Sequence, residues 1–186
     1  MNNQETSPAR FSDLKPPHIF RPLEVTPQIM AIQELVASLQ QEEIVLKTPN
    51  RYRLDTLLVR ETRLISYLGQ AAIHTYVDSM AKLGQIGGWY QPITAGVARF
   101  NAYHRKGGTG NRLIMELQTD DQLEKERQWA LEITRRLSGQ DLQHTFLRRN
   151  ITLAYLDRSF DNNRLQARID EVKPDSINLL PTQIEL

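Results

Sequence analysis

The segment from Asn150 to Leu153 holds the residue types best placed to do chemistry, because it puts an amide and a hydroxyl on one side of a short strand. An amide and a hydroxyl can both hydrogen-bond a phosphate group. Asparagine, however, cannot carry a proton to or from a substrate near neutral pH. Since side chains alternate along a strand, one face is predicted to hold Asn150, Thr152 and Ala154, and the opposite face Ile151, Leu153 and Tyr155.

A second stretch, Leu54-Asp55-Thr56-Leu57, has a similar pattern and follows the basic residues Arg51 and Arg53. Arg148 and Arg149 precede the first stretch in the same way. If the two strands are neighbours, these cations collect at one end of a groove, and Tyr52 could stack on a base there. The alternative interpretation is a solvated strand end whose charge is balanced by Asp55 and Asp157.

The elements that must position these residues follow from hydrophobic periodicity and from turn residues. Residues 1–17 are polar and rich in proline, which predicts a flexible tail before a single domain of two lobes over residues 18–186. The predicted strands are Ile19–Val25, Ile44–Leu46, Leu54–Val59, Ile93–Tyr103, Arg112–Leu117, Ile151–Leu156, Ile177–Leu180 and Gln183–Leu186, and the predicted helices are Pro27–Gln41, Leu64–Leu83, Asp120–Gly139 and Asn162–Val172. This order predicts an α+β fold with two loosely similar halves.

The order of elements after Ile93, together with Asn150-x-Thr152, resembles the second half of the two-histidine phosphoesterases. This superfamily contains the 2′-5′ RNA ligase-like proteins and the 2′,3′-cyclic phosphodiesterases, and its signature is His-x-Thr. Leu54-x-Thr56 is similar in position to the first signature. The resemblance implies a two-lobed, pseudo-symmetric fold of antiparallel sheets with helices on the outer faces.

In that family, two imidazoles transfer protons on opposite walls of a groove, and the threonines hydrogen-bond the phosphate. The histidine positions are occupied here by Leu54 and Asn150. Loss of one placed acid or base typically costs about 10²- to 10⁴-fold in rate, so the resemblance implies impaired catalysis. It also implies a nucleotide, a cyclic nucleotide or an RNA end bound in the groove between the lobes. The predicted ligand-binding residues are Thr56, Asn150, Thr152, Tyr52, Arg53 and Arg149.

Two alternatives remain at this point. One is an active phosphodiesterase of RNA or cyclic nucleotides that uses a non-standard acid and base, for which His144 and His104 are the candidates. The other is a non-catalytic protein-interaction domain in which the groove is filled. The glycine-rich loop from His104 to Asn111 is interpreted as a surface hairpin, with a basic flap over phosphate as the alternative.

Composition excludes several other classes of function. The chain of 186 residues has 23 Lys and Arg against 22 Asp and Glu, so strong non-specific adhesion to nucleic acid or membrane is not predicted. It has no cysteine, which excludes thiolate metal sites and fits a cytoplasmic protein. No metal-ligand spacing, cofactor fingerprint, signal peptide or membrane span is present, so no metal, cofactor or membrane partner is expected. The oligomeric state is not indicated.

Overall fold

The computed structural model describes residues 14–57, 59–103, 111–140, 149–157 and 161–186, with the side chains of residues 59, 60, 103 and 162 excepted. Within these residues, no helix is both long and apolar enough to cross a membrane. The strands are β1 (His18–Pro22), β2 (Val45–Lys47), β3 (Arg53–Asp55), β4 (Ile93–Tyr103), β5 (Asn111–Leu117), β6 (Asn150–Leu156), β7 (Ser176–Leu179) and β8 (Gln183–Glu185). The helices are α1 (Pro27–Gln41), α2 (Val59–Ser66), α3 (Gln70–Gly87), α4 (Asp121–Ser138) and α5 (Asn162–Asp170).

The strands form two antiparallel sheets, which confirms the predicted α+β fold. The smaller sheet has the order β3-β1-β8, and the larger has the order β2-β6-β5-β4-β7. The two sheets meet where β1 runs out at Leu23, whose backbone bridges Leu179 of β7. Strands β3 and β6, from different sheets, also lie close to each other.

Each sheet has its own hydrophobic core, and the two cores define the two lobes. In the larger lobe, the apolar face of α1 and residues of α5 pack on the five-stranded sheet around Leu153 and Met115. In the smaller lobe, α2, α3 and α4 pack together against β1 around Tyr76 and Ile65. Both sheets therefore have one face covered by helices, and the opposite faces remain available to form a groove.

The helix ends follow the predicted local signals. Thr26 caps α1 by accepting a hydrogen bond from the backbone N of Ile29, and Asp120 caps α4 through Leu123. Gly139 ends α4 in the left-handed region with φ of 65°, a conformation that glycine adopts without strain.

Two predicted elements differ most from the observed ones. The predicted strand Leu54–Val59 is shorter, because β3 ends at Asp55 and Val59 already begins α2. The predicted single helix Leu64–Leu83 is two helices, since Gly69 has φ of 99° and ψ of 178° and separates α2 from α3. The second helix continues past the predicted end at Gly84 and ends at Gly87, with Gly88 as its C-cap.

Candidate functional site

A groove of about 490 Å³ opens between β3 of the smaller lobe and β6 of the larger lobe. This volume falls in the range of roughly 300–1,000 Å³ that is typical of small-molecule sites. The described residues that line it are mostly polar or charged: Lys47, Thr48, Pro49, Asn50, Arg51, Arg53, Asp55, Arg112, Asn150, Thr152, Tyr155 and Glu185.

Strand β6 contributes Asn150 and Thr152, both half-buried and both lining the groove. Their neighbours across the ladder on β5 are Glu116 and Ile114. The amide and the hydroxyl therefore share one wall, as strand alternation predicts.

A bulge in β6 also turns Tyr155 into the groove. On β5, the successive residues Leu113 and Ile114 pair with Ala154 and Thr152, so Leu153 is an extra residue on β6. Beyond the bulge the alternation is reversed, and Tyr155 lines the groove while Ala154 is buried. The predicted placement of Tyr155 on the opposite face, and of Ala154 beside Thr152, is therefore wrong.

Strand β3 presents Arg53 and Asp55 to the groove, and this corrects the predicted register of its motif. Leu54 is buried in the core of the larger lobe with 4% of its surface exposed. Thr56 is 7% exposed, and its backbone O accepts a hydrogen bond from Arg127 at 3.2 Å. Because side chains alternate along a strand, burial of Leu54 in the core turns its neighbours Arg53 and Asp55 toward the groove. Thr56 and Thr152 are thus not brought together.

Two further predicted ligand-binding residues lie outside this lining. Tyr52 is half-buried against the core of the larger lobe and lines a cleft beside α1 that adjoins the groove and shares residues 48–51 with it. Burial raises the pKa of its phenol to about 12. Arg149 donates a hydrogen bond to the hydroxyl of Thr119 and is not among the lining residues of the groove. Of the predicted ligand-binding set, the groove brings together Arg53, Asn150 and Thr152.

The groove is positively charged, with four basic residues against two carboxylates among the described lining. Arg51 pairs with Glu185, and Arg53 Nε lies 3.0 Å from Asp55 Oδ1 and its Nη1 3.9 Å from Glu185 Oε2. Both guanidinium groups sit over the ring of Phe20, at 4.9 and 4.6 Å from its centroid. These contacts hold two cations at fixed positions on the β3 wall.

The larger lobe supplies the remaining basic residues, Lys47 and Arg112. The Arg112 guanidinium lies 5.3 Å from the ring centroid of Tyr155, its ladder neighbour on β6. The prediction from sequence missed both residues and Glu185. The sequence around Arg112, Asn-Arg-Leu-Ile-Met-Glu, shows no regular alternation that would mark a groove face, and the pairing of Arg112 with Tyr155 follows only from the bulge in β6.

Of the four histidines that could carry a proton, His18 and His74 lie within the described residues. His104 and His144 lie outside the described residues, as do residues 104–110 of the glycine-rich loop. His18 is on β1 opposite Glu185, and His74 is exposed on α3, 2.9 Å from the side chain of Gln70. Neither of these two described histidines lines the groove. No cluster of three or more metal-ligating side chains occurs within the described residues.

The fold is similar to that of solved proteins, although the sequence is not. No family model matches the chain, and no curated protein resembles it in sequence. Usb1 of Kluyveromyces marxianus aligns with a TM-score of 0.55 at 8% identity, over 92% of this chain and 93% of Usb1. The structure of the same Usb1 with uridine monophosphate gives the same values. The MHV ns2 PDE domain aligns with a TM-score of 0.48 at 13% identity, over 91% of this chain and 99% of that domain.

Usb1 belongs to the two-histidine phosphoesterases, and its likeness extends over both lobes of this chain. At this level of identity the likeness concerns the fold. The expected architecture is thereby confirmed: this chain has the fold of the two-histidine phosphoesterases.

Proposed function

We propose that the groove between the lobes binds a phosphorylated ligand, a nucleotide or an RNA end, without the proton transfers of the two-histidine reaction. The observation behind this proposal is that Asn150 and Thr152 of β6 face the same groove as Arg53 of β3. The amide and the hydroxyl donate hydrogen bonds to phosphate oxygens, and the guanidinium group supplies a charged, planar donor.

Charge and aromatic content favour a nucleotide over other phosphorylated ligands. Four basic side chains line the described part of the groove, and Tyr155 offers a ring beside Arg112 for a base to stack on. The structure of Usb1 with uridine monophosphate supports uridine monophosphate as a first probe.

The groove positions of the two strands argue against the family's acid–base pair. The pair on β3 is Arg53 and Asp55, and the pair on β6 is Asn150 and Thr152. Arginine stays protonated and asparagine does not titrate, so neither can exchange a proton with a substrate near neutral pH. Asp55 is the titratable member, and its carboxylate is paired with Arg53.

Isothermal titration with uridine monophosphate tests the binding proposal. Thr152→Val removes the hydroxyl at nearly constant volume, and we expect a Kd weaker by roughly ten- to 150-fold, the value of one hydrogen bond to a charged group of about 1.5–3 kcal/mol. Thr94→Val is the matched control, because Thr94 is an exposed strand threonine outside the groove lining. Equal affinity of the wild type and Thr152→Val would contradict the proposed contact.

Incubation with uridine 2′,3′-cyclic monophosphate, followed by product analysis, tests the absence of turnover. We expect no product above the rate without protein. Product that disappears in His104→Ala or His144→Ala would establish the alternative, a phosphodiesterase with a non-standard acid and base. Product that disappears only in Asp55→Asn would assign the proton transfer to the groove carboxylate.

A further inference from the structure

The carboxylate of Glu185 lies beside two arginines of the groove, where an anionic ligand would be expected to bind. Its carboxylate pairs with Arg51 and lies 3.9 Å from Arg53, and all three residues line the groove. Glu185 is on β8, the edge strand on the other side of β1 from β3. The smaller lobe therefore supplies two of the four basic residues that line the groove and also a carboxylate that neutralises them.

The guanidinium groups of Arg51 and Arg53 contact an aromatic ring on one face and carboxylates at their edges. Phe20 of β1 is fully buried, and both Arg51 and Arg53 lie over its ring within 5 Å of the centroid. Asp55, the ladder neighbour of Phe20, holds Arg53 from the β3 side. Glu185 is the carboxylate that both arginines contact, and its side chain, 41% exposed, can turn toward solvent.

We propose that Glu185 is an internal competitor for the ligand phosphate: its carboxylate occupies Arg51 and Arg53 in the free protein, so that a singly charged phosphodiester binds weakly and a doubly charged phosphate monoester is the class of ligand that the groove takes. A ligand must displace the Glu185 carboxylate to reach Arg51 and Arg53. A phosphodiester carries one negative charge, so the exchange leaves the charge facing the arginines unchanged. A terminal phosphate monoester carries close to two charges above pH ~6 and gains one further charge interaction. This inference rests on the proposed function and adds the chemical class of the phosphate.

The test compares uridine monophosphate with uridine 2′,3′-cyclic monophosphate in the wild type and in Glu185→Gln, by isothermal titration at about pH 7.5, where the monoester is mostly a dianion. We expect the wild type to bind the monoester about fivefold more tightly, the effect of one additional charge near a wet surface. Glu185→Gln should bind both ligands about three- to tenfold more tightly than the wild type does, because neither ligand then has to displace a carboxylate, and the ratio of the two Kd values should stay about the same.

Glu34→Gln is the matched control, because Glu34 is exposed on α1, outside the groove lining, and its substitution changes the net charge equally. It should leave both Kd values unchanged. An arm with inorganic phosphate shows whether the nucleoside is needed for binding. Thermal melting checks that each variant is folded.

The outcomes separate the two proposals. If Glu185→Gln leaves both Kd values unchanged while Thr152→Val still weakens binding, the competitor role is overturned and the phosphate site stands. If neither nucleotide nor inorganic phosphate binds to the wild type or to Glu185→Gln, the phosphate site itself is overturned, and the competitor role falls with it. If Glu34→Gln lowers the Kd values as much as Glu185→Gln does, the effect comes from net charge, and the competitor role of Glu185 is overturned.

Discussion

Arg21 and Glu126 form a fully buried ion pair that joins the central strand of the smaller sheet to helix α4. Arg21 also donates to the backbone O of Gln91 at 2.8 Å, of Trp89 at 3.0 Å and of Leu180 at 3.1 Å. Thr182 donates to the same carboxylate at 3.3 Å. Every N–H of the guanidinium group is therefore used, and β1 is held to α4 and to the chain before β4 and β8.

Replacement of Arg21 alone should be strongly destabilising. Arg21→Met leaves the Glu126 carboxylate buried without its cation, for which we expect a loss of about 3–5 kcal/mol in the free energy of unfolding. The double variant Arg21→Met/Glu126→Leu should recover most of this loss, because the apolar pair leaves no buried charge. Urea unfolding of the two variants and the wild type measures both values. A double variant as unstable as Arg21→Met would show that packing, and not the stranded charge, is responsible.

The pH dependence of Arg21→Met follows from the same carboxyl. Burial raises the pKa of Glu126, and the hydrogen bonds from Arg21 oppose the rise. Without Arg21 the raising influences of burial and of Asp120 on the pKa are opposed by the hydrogen bond from Thr182 alone, so the folded state binds a proton more tightly than the unfolded state. For such a group, stability is present at low pH and is lost as the pH rises through the folded pKa. Arg21→Met should thus be less destabilised at about pH 5 than at about pH 7, and the double variant should lack this difference.

Gly69 separates α2 from α3 through a backbone conformation that other residues rarely adopt. With φ of 99° and ψ of 178°, a side chain at this position is strained, and Gly69→Ala should lower the free energy of unfolding by about 1–3 kcal/mol. Gly88→Ala is a graded control, because Gly88 has φ of 71° in the left-handed region and open space around its Cβ direction. Its cost should be smaller, about 1 kcal/mol. Chemical denaturation of both variants measures the two losses, and equal losses would contradict the assigned strain.

Local signals in the sequence predicted most elements of the fold. The caps at Thr26 and Asp120 and the end at Gly139 are encoded within a few residues, so α1 and α4 were predicted correctly. Gly69 was not recognised as a break, because apolar residues continue on both sides of it and hydrophobic periodicity does not report a change in helix direction. The resemblance to the two-histidine phosphoesterases rested mainly on the order of the elements. The wrong placement of Thr56 therefore did not affect the prediction of the fold.

The site was predictable only where strand alternation is regular. Asn150 and Thr152 precede the bulge, and the structure places both on the groove. On β3, polar residues occupy both faces, so the sequence Arg53-Leu54-Asp55-Thr56 fits either register, and the core contact made by Leu54 selects one of them. Tyr155 was placed on the wrong face because an extra residue in a strand leaves no simple mark in the sequence.

Tyr155 should contribute to nucleotide binding and not to phosphate binding. Its ring lines the groove beside Arg112, and stacking of a base on an aromatic ring is worth about 1–3 kcal/mol, or roughly five- to 150-fold in Kd. We expect Tyr155→Leu to weaken binding of uridine monophosphate within this range and to leave binding of inorganic phosphate unchanged. Equal losses for the two ligands would indicate a disturbed groove in place of a lost stacking contact.

Tyr52 should titrate well above the ordinary range of a tyrosine and take no part in binding. Because burial raises the pKa of its phenol to about 12, the difference in phenolate absorbance between the wild type and Tyr52→Phe should show a midpoint near that value. The folded pKa lies above the unfolded value of about 10, so the contribution of this group to stability is complete below about pH 10 and is lost as the pH rises toward 12. Tyr52→Phe should therefore be less sensitive to high pH than the wild type, with an unchanged Kd for uridine monophosphate. A midpoint near 10 would contradict the burial of Tyr52 against the core, and a weakened Kd would return this residue to the binding site.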